Sequence, residues 1–118
     1  MTTAGDTAPV DPEDAKLVVL ARSSQARTGA TEGAAVRDTD GRTYVASTVV
    51  LPSLRLTALQ ASVAAAASSG ASGLEAAAVV TGESSDDVDV SVVAEFGGSD
   101  TPVLIADPTG AVVATVLA

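Results

Sequence analysis

The acidic side chains of this protein are its main candidates for acid/base or metal chemistry, because the sequence contains no cysteine and no histidine. Thiolate nucleophiles, imidazole bases and Cys/His zinc sites are therefore excluded. The densest acidic stretch is ESSDDVDV, which contains Asp86, Asp87 and Asp89. Carboxylates at this spacing could form a weak Mg²⁺ or Ca²⁺ site. Acids are also typical of the first turn of a helix, where they bind free N–H groups, and we favour that interpretation.

A second acidic pair, Asp38 and Asp40, lies in the sequence DTDG. Two nearby carboxylates are the catalytic groups of glycoside hydrolases. Aspartate is also common in tight turns for conformational reasons, since its side chain accepts hydrogen bonds from the local backbone. We therefore interpret this pair as part of a hairpin turn.

The net charge of −9 is unevenly distributed, and this limits the partners of the protein. Arg55 is the last basic residue, and eight acids follow it between Glu75 and Asp107. Nucleic-acid binding needs a basic surface, and anionic membranes would repel this chain, so we expect neither partner. No apolar run approaches the ~20 residues that span a bilayer. The first residues are acidic and polar, unlike a signal peptide, and we expect a cytoplasmic location.

The length predicts a single domain over residues 12–118, preceded by a disordered tail over residues 1–11. A first helix is predicted to begin with Asp11 as its N-cap and Pro12 in its first turn. The DTDG turn is predicted to join strands near Gly33–Arg37 and Arg42–Val50, with Pro52 ending the second strand.

The stretch LTALQASVAAAASSG, from Leu56 to Gly70, predicts a helix without a charged face. Such a helix should be buried, and we expect it to lie between a sheet and another subunit. Only Tyr44 and Phe96 are aromatic, so the core must consist of small aliphatic side chains that each bury little area. We therefore expect a homo-oligomer, either a dimer or a tetramer.

The second half of the chain predicts three strands and a short helix. LEAAAVVTG reads as a buried, partly parallel strand. Ser84, Ser85, Asp86 and Asp87 are predicted to open a helix that ends at Gly97. TPVLIAD and AVVATVLA are predicted strands joined by the turn DPTG. The whole order predicts an α/β fold of three αβα layers around a mixed five-stranded sheet.

Several phrases, in this order and spacing, resemble the small tetrameric cytidine deaminases from about Ala15 to Ala118. GAAVRDTDGRTYV is similar to the first hairpin of that family, which typically runs Val-Gly-Ala-Ala before a glycine turn. EAAAVVTGES resembles its central strand, and AEFGGSDTPVLIADPTG resembles its final segment. The resemblance implies hydrolytic deamination, in which a zinc ion held by His or Cys and two Cys activates water while a Glu transfers protons.

The resemblance also assigns positions, and every chemical position is changed in this chain. Thr57 takes the place of the first zinc ligand, and Leu59 takes that of the proton-transferring Glu. Asp86 and Asp89 take the places of the two cysteine ligands. The family positions that hold the nucleoside sugar fall on Thr48 and Val50, and the pocket phenylalanine falls on Ala30.

These changes lead to the expectation of a catalytically degenerate, zinc-free homologue with a binding or assembly role. Thr57 is then an N-cap, Leu59 is a core residue, and the altered pocket serves a small ligand or the chain serves a protein partner. The alternative is an active deaminase of cytidine or another nucleoside, and zinc is expected only in that case.

Overall fold

A computed structural model describes residues 10–118 of the chain. The predicted tail over residues 1–11 therefore lies outside the described residues, except for Val10 and Asp11. The helices are α1 (Pro12–Thr28), α2 (Ala58–Ser68) and α3 (Ser91–Gly97), with a 3₁₀ turn over Ser85–Asp87. The strands are β1 (Gly33–Asp38), β2 (Thr43–Ser47), β3 (Val49–Leu51), β4 (Leu54–Leu56), β5 (Leu74–Val80), β6 (Pro102–Ala106) and β7 (Val112–Leu117).

Five of the strands form one mixed sheet in the order β2-β1-β5-β6-β7. β1 is antiparallel to both β2 and β5, β5 is parallel to β6, and β6 is antiparallel to β7. The prediction of a mixed five-stranded sheet with a partly parallel strand at LEAAAVV is thus confirmed. β3 and β4 form a separate two-stranded hairpin.

Helices cover both faces of the sheet, which gives the predicted three layers. α1 packs on one face, in a cluster that contains Leu17, Ala21 and Leu104. α2 and α3 pack on the other face, in a cluster that contains Leu59, Val63 and Val93. Both clusters consist mainly of Ala, Val and Leu, so the layers approach closely. None of the helices within residues 10–118 is long and apolar enough to cross a membrane.

The start of α1 and its contact with β1 are set by local chemistry. The Asp11 carboxylate accepts a hydrogen bond from the N–H of Glu13 at 2.8 Å, as an N-cap does, and proline follows at the first helical position. At Gly33 a β-carbon would lie 2.1 Å from the carbonyl oxygen of Ala21. Glycine is therefore required there for β1 to approach α1.

The predicted strand over Arg42–Val50 is wrong in extent, because the chain leaves the sheet after Ser47. The Thr48 hydroxyl accepts a hydrogen bond from the N–H of Glu32 at 3.1 Å, next to the end of the sheet. Val49–Leu51 then pairs with Leu54–Leu56. The second helix consequently begins at Ala58 rather than at Leu56.

The predicted start of the third helix is also wrong. Ser84 caps the 3₁₀ turn by accepting a hydrogen bond from the N–H of Asp86, and Val88 after it is extended. α3 begins only at Ser91, where the Asp89 carboxylate accepts hydrogen bonds from the Ser91 N–H (2.9 Å) and hydroxyl (2.6 Å). Ser84 and Asp89 therefore stabilise two successive turns, and the acids do not open one continuous helix.

Candidate ligand-binding site

The main cavity of the protein lies between the β3–β4 hairpin, the start of α2 and the loops at the ends of β1 and β5. Its volume is about 680 Å³, within the usual range for small-molecule sites. Both polar and apolar side chains line it. The lining consists of Thr31, Glu32, Thr48, Val49, Val50, Arg55, Leu56, Thr57, Gln60, Thr81, Gly82, Glu83 and Pro108.

A smaller cavity of about 220 Å³ adjoins the main cavity. The two share Glu32, Thr57 and Glu83 in their linings. The remaining lining residues of the smaller cavity are Leu59, Val79, Asp87, Val88 and Asp89. The shared wall makes the two cavities one candidate site.

Thr57 lies at the junction of the two cavities, and its polar groups already have partners. Its hydroxyl accepts a hydrogen bond from the N–H of Gln60 at 3.1 Å. The Gln60 side chain in turn accepts one from the N–H of Thr57 at 2.9 Å. This reciprocal capping box fixes the start of α2, so the structure gives Thr57 the role of an N-cap.

Leu59 is 2% exposed and belongs to the core cluster beneath α2. Its side chain also contributes to the wall of the smaller cavity. The position that the resemblance assigns to a proton-transferring carboxylate therefore carries an apolar group inside the packed core.

Of the two acids assigned to cysteine positions, only Asp89 lines the smaller cavity, together with its neighbour Asp87. Asp86 lines neither cavity. The hydrogen bonds from Ser91 to Asp89 hold the pKa of this carboxyl below its ordinary value. Asp89 is thus an ionised group that holds the turn before α3 and lines the smaller cavity.

The three positions assigned to nucleoside contacts are only partly brought together. Thr48 and Val50 line the main cavity, and Val50 is 63% exposed. Ala30 lines neither cavity. Its carbonyl oxygen accepts a hydrogen bond from the Gln25 amide at 3.0 Å, beneath the end of α1.

The residues at the assigned metal positions do not fit the zinc ion that the resemblance implies. Zinc sites in proteins use sulfur, imidazole nitrogen and carboxylate oxygen, usually four ligands in tetrahedral geometry. The Thr57 hydroxyl is a weak neutral ligand engaged in a cap, and Asp86 is not among the residues that line the cavity beside Asp89. Within residues 10–118, no three His, Cys, Asp or Glu side chains are grouped to hold a metal ion.

Sequence reasoning missed the most unusual pair in the site, Glu32 and Glu83. Both line both cavities. The pKa of the Glu83 carboxyl is raised above its ordinary value, mainly by the charge of Glu32, with burial and a hydrogen bond between the two carboxyls adding to the effect. The signal for Glu32 was present in the sequence, since it precedes Gly-Ala-Ala where the family phrase typically has valine.

This arrangement can bind a small polar molecule, and its own chain supplies one group able to carry a proton. Hydroxyl, amide and carboxyl groups surround apolar patches at Val49, Val50 and Leu56. Arg55 contributes a positive charge to the lining. A mixture of apolar surface with a few directed polar groups is typical of small-ligand sites.

Comparisons with known proteins agree with this architecture. The family model described as cytidine deaminase-like matches residues 10–110. A comparison with curated proteins gives no match.

Solved structures extend the match to nearly the whole chain. The cytidine deaminase from Mycobacterium tuberculosis is 31% identical, with 86% of this chain and 88% of that chain covered and a TM-score of 0.63. A point mutant of the same enzyme is 30% identical, with 92% of each chain covered and a TM-score of 0.66. The cytidine deaminase from Burkholderia pseudomallei is 22% identical, with 86% and 90% covered and a TM-score of 0.72, a likeness of fold. The family model and these structures show that the chain belongs to the cytidine deaminase-like family.

Proposed function

We propose that this protein is a catalytically degenerate member of its family, which binds a small ligand or a protein partner without zinc chemistry. The solved relatives are cytidine deaminases, so the ligand class to test first is a pyrimidine nucleoside. A dimer or tetramer of identical chains is part of the proposal, because the small aliphatic core buries little area per residue. The cytoplasmic location expected from the sequence stays a prediction.

The observation that carries the proposal is the buried leucine, Leu59, at the position that the resemblance assigns to the proton-transferring Glu. Removal of a general acid/base from an active site costs about 10²–10⁴-fold in rate. At this position the side chain is 2% exposed and packs with the core cluster, and a leucine cannot transfer a proton. The capping role of the Thr57 hydroxyl and the position of Asp86 outside the cavity lining support the same conclusion for the metal.

The alternative function is hydrolytic deamination of cytidine or a related nucleoside, and Glu32 and Glu83 favour it. A carboxyl with a raised pKa that faces a cavity is a candidate acid/base group. In this alternative the pair would transfer protons in place of the residue lost at Leu59. The metal that activates water in the family would still need ligands. Because the assigned positions do not supply them, we rank deamination below the zinc-free function.

Two measurements on the full chain separate these functions. Protein purified without chelators is analysed for zinc per subunit, and the absorbance of cytidine is followed at high protein concentration. We expect substoichiometric zinc and no turnover above the buffer control. Stoichiometric zinc with turnover would overturn the proposal.

A matched pair of variants makes the activity measurement specific. If any turnover is seen, Glu83→Gln should abolish it under the alternative function, since the proton-carrying group is lost. Glu95→Gln removes the same charge from an exposed position on α3 and should leave turnover unchanged. Turnover that survives Glu83→Gln would point to a contaminating deaminase.

A further inference from the structure

The turn DPTG joins β6 to β7, and Asp107 fixes its shape from within. The Asp107 carboxylate accepts hydrogen bonds from the N–H groups of Thr109 (2.9 Å) and Ala111 (3.3 Å) and from the Thr109 hydroxyl. The bond from this hydroxyl is the main cause of a pKa below the ordinary value of the Asp107 carboxyl. The N–H of Gly110 donates to the carbonyl of Asp107 at 2.8 Å. The turn is therefore held as a unit, and its position on the rest of the molecule remains to be fixed.

The sheet fixes the position of the turn less firmly, because the pairing of β6 with β7 is irregular beside it. Ile105 pairs with Ala114, but Ala106 pairs with Val112, so Val113 is an extra residue in β7. A bulge of this kind bends its strand and interrupts the ladder of hydrogen bonds. A contact from outside the sheet therefore has a large influence on where the turn lies.

Arg22 on α1 supplies such a contact at two points of the turn. Its Nε–H donates to the carbonyl of Pro108 at 3.3 Å. Proline has no N–H, so this carbonyl is the only backbone group through which Pro108 can form a hydrogen bond. At Gly110 a β-carbon would lie 3.0 Å from Cδ of Arg22, so the aliphatic part of the arginine lies against this glycine. Arg22, Thr109 and Gly110 also line a groove of about 460 Å³ beside α1.

The same turn contributes to the ligand cavity. Pro108 lines the main cavity, whereas Arg22 does not. Thr81, at the end of β5, lines the main cavity as well and is 3% exposed. Its N–H donates to the carbonyl of Ala106 at 3.0 Å, just before the turn. A displacement of the turn would therefore change the cavity wall and the access to Thr81.

We propose that Arg22 is a positioning residue of the ligand site, which holds the DPTG turn so that Pro108 forms part of the cavity wall. Arg22 acts through the turn and does not touch the ligand. Its hydrogen bond is exposed, so loss of the bond should move the turn without unfolding the protein. The effect on affinity rests on the proposed ligand binding, but the position of the turn can be measured without a ligand.

Two neutral variants separate the hydrogen bond from the charge of Arg22. In Arg22→Gln the amide nitrogen lies at the same place along the side chain as Nε, so a donor is kept. In Arg22→Met a methyl group lies at that place, so the donor is lost while the length of the side chain up to that atom remains. Arg27→Met is the control for the loss of charge, because Arg27 is an exposed arginine of the same helix that lines neither the main cavity nor the groove.

A single thiol in the cavity wall reports the position of the turn without a ligand. The chain has no natural cysteine, so Thr81→Cys supplies one thiol at a buried position of this wall. In this background we expect Arg22→Met to increase the rate of modification by N-ethylmaleimide roughly fivefold, because the loss of a hydrogen bond favours local opening. Arg22→Gln and Arg27→Met should leave the rate unchanged, and circular dichroism checks that each variant is folded. Equal rates in Arg22→Met and Arg22→Gln would overturn the proposal.

Titration with cytidine measures the effect on the site in the chain that keeps Thr81, so it does not depend on the folding of the cysteine variant. By isothermal titration calorimetry, Arg22→Met should weaken cytidine binding roughly threefold, and Arg22→Gln should retain the wild-type affinity. If the wild type binds cytidine and Arg22→Met binds it equally tightly, Arg22 does not position this site. If the wild type binds no cytidine, the nucleoside proposal fails by itself, and the thiol rates decide whether Arg22 holds the turn.

Discussion

The β1–β2 turn and the ligand cavity each contain an acidic side chain, and the two carboxyls have opposite surroundings. Asp38 in the turn is 1% exposed. Its oxygens accept hydrogen bonds from the N–H groups of Asp40 and Arg42, both at 2.9 Å, and from the Tyr44 hydroxyl at 2.7 Å. The bond from Tyr44 is the main cause of a pKa below the ordinary value of this carboxyl.

Glu83 in the cavity has a neighbouring acid where Asp38 has hydrogen-bond donors. It lies beside Glu32, whose charge raises the pKa of Glu83. Within residues 10–118 neither glutamate forms an ion pair with a lysine or arginine. An acid that serves the fold differs from an acid of the site, because a structural carboxylate is surrounded by hydrogen-bond donors. A carboxyl that lies beside another carboxyl in a cavity remains available to a proton or a ligand.

The largest expected effect comes from placing a further carboxyl in the wall of the smaller cavity, which four acids already line. Leu59→Glu puts an unpaired acid at a position that is 2% exposed. We expect the free energy of unfolding at neutral pH to fall by about 4 kcal/mol, measured by urea denaturation.

Leu59→Met is the control for this prediction, because it keeps the volume and should cost less than about 1.5 kcal/mol. A Leu59→Glu protein as stable as the wild type would show that this wall accommodates a carboxylate. The surroundings of carboxyls in the cavity would then not differ in stability from those of Asp38 in the turn, and the alternative of an active enzyme would gain support.

The second largest effect is expected at Asp38. Asp38→Asn replaces an acceptor oxygen by a donor nitrogen and removes the charge, so the midpoint of thermal unfolding at pH near 7 should fall by roughly 10 °C. Because the folded pKa is lowered, Asp38 stabilises the fold above its ordinary pKa of 3.8, and this contribution is lost as the pH falls through the lower folded value.

The difference between Asp38→Asn and the wild type should therefore shrink as the pH is lowered below 3.8. Asp40→Asn, at an exposed side chain in the same turn, should change the midpoint little at any pH. Equal effects of the two substitutions would show that the network around Asp38 adds no stability.

Sequence reasoning predicted the features that local chemistry determines. The N-cap at Asp11 and the turns DTDG and DPTG are found as predicted, with Gly41 and Gly110 at positive φ. The β3–β4 hairpin was missed, because VVL follows β2 with only Thr48 between them, and Pro52 is typical of a strand end as well as of a turn. The break before α3 was missed because Asp89 competes with the helix by binding Ser91 locally.

From the sequence, only the site residues at positions that the family resemblance assigns could be predicted. Thr57, Leu59 and Asp89 do line the smaller cavity, as their assigned positions imply. Glu32 and Glu83 come from loops far apart in the sequence, and no spacing rule connects them. Only the sheet, in which β1 pairs with β5, brings these two loops together.

The smallest expected effect, and the most specific test of the contrast, is at Glu83. Because its folded pKa is raised, the fold is most favoured below the ordinary value of 4.5, and this advantage is lost as the pH rises through the folded pKa. Glu83→Gln should raise the thermal midpoint by roughly 2 °C at pH near 7 and leave it unchanged below 4.5. Glu95→Gln on α3 removes the same charge from the whole molecule. If Glu95→Gln raises the thermal midpoint as much as Glu83→Gln does, the gain in stability reflects net charge and not the repulsion between Glu32 and Glu83. The carboxyls of the cavity would then behave like those of the rest of the acidic surface.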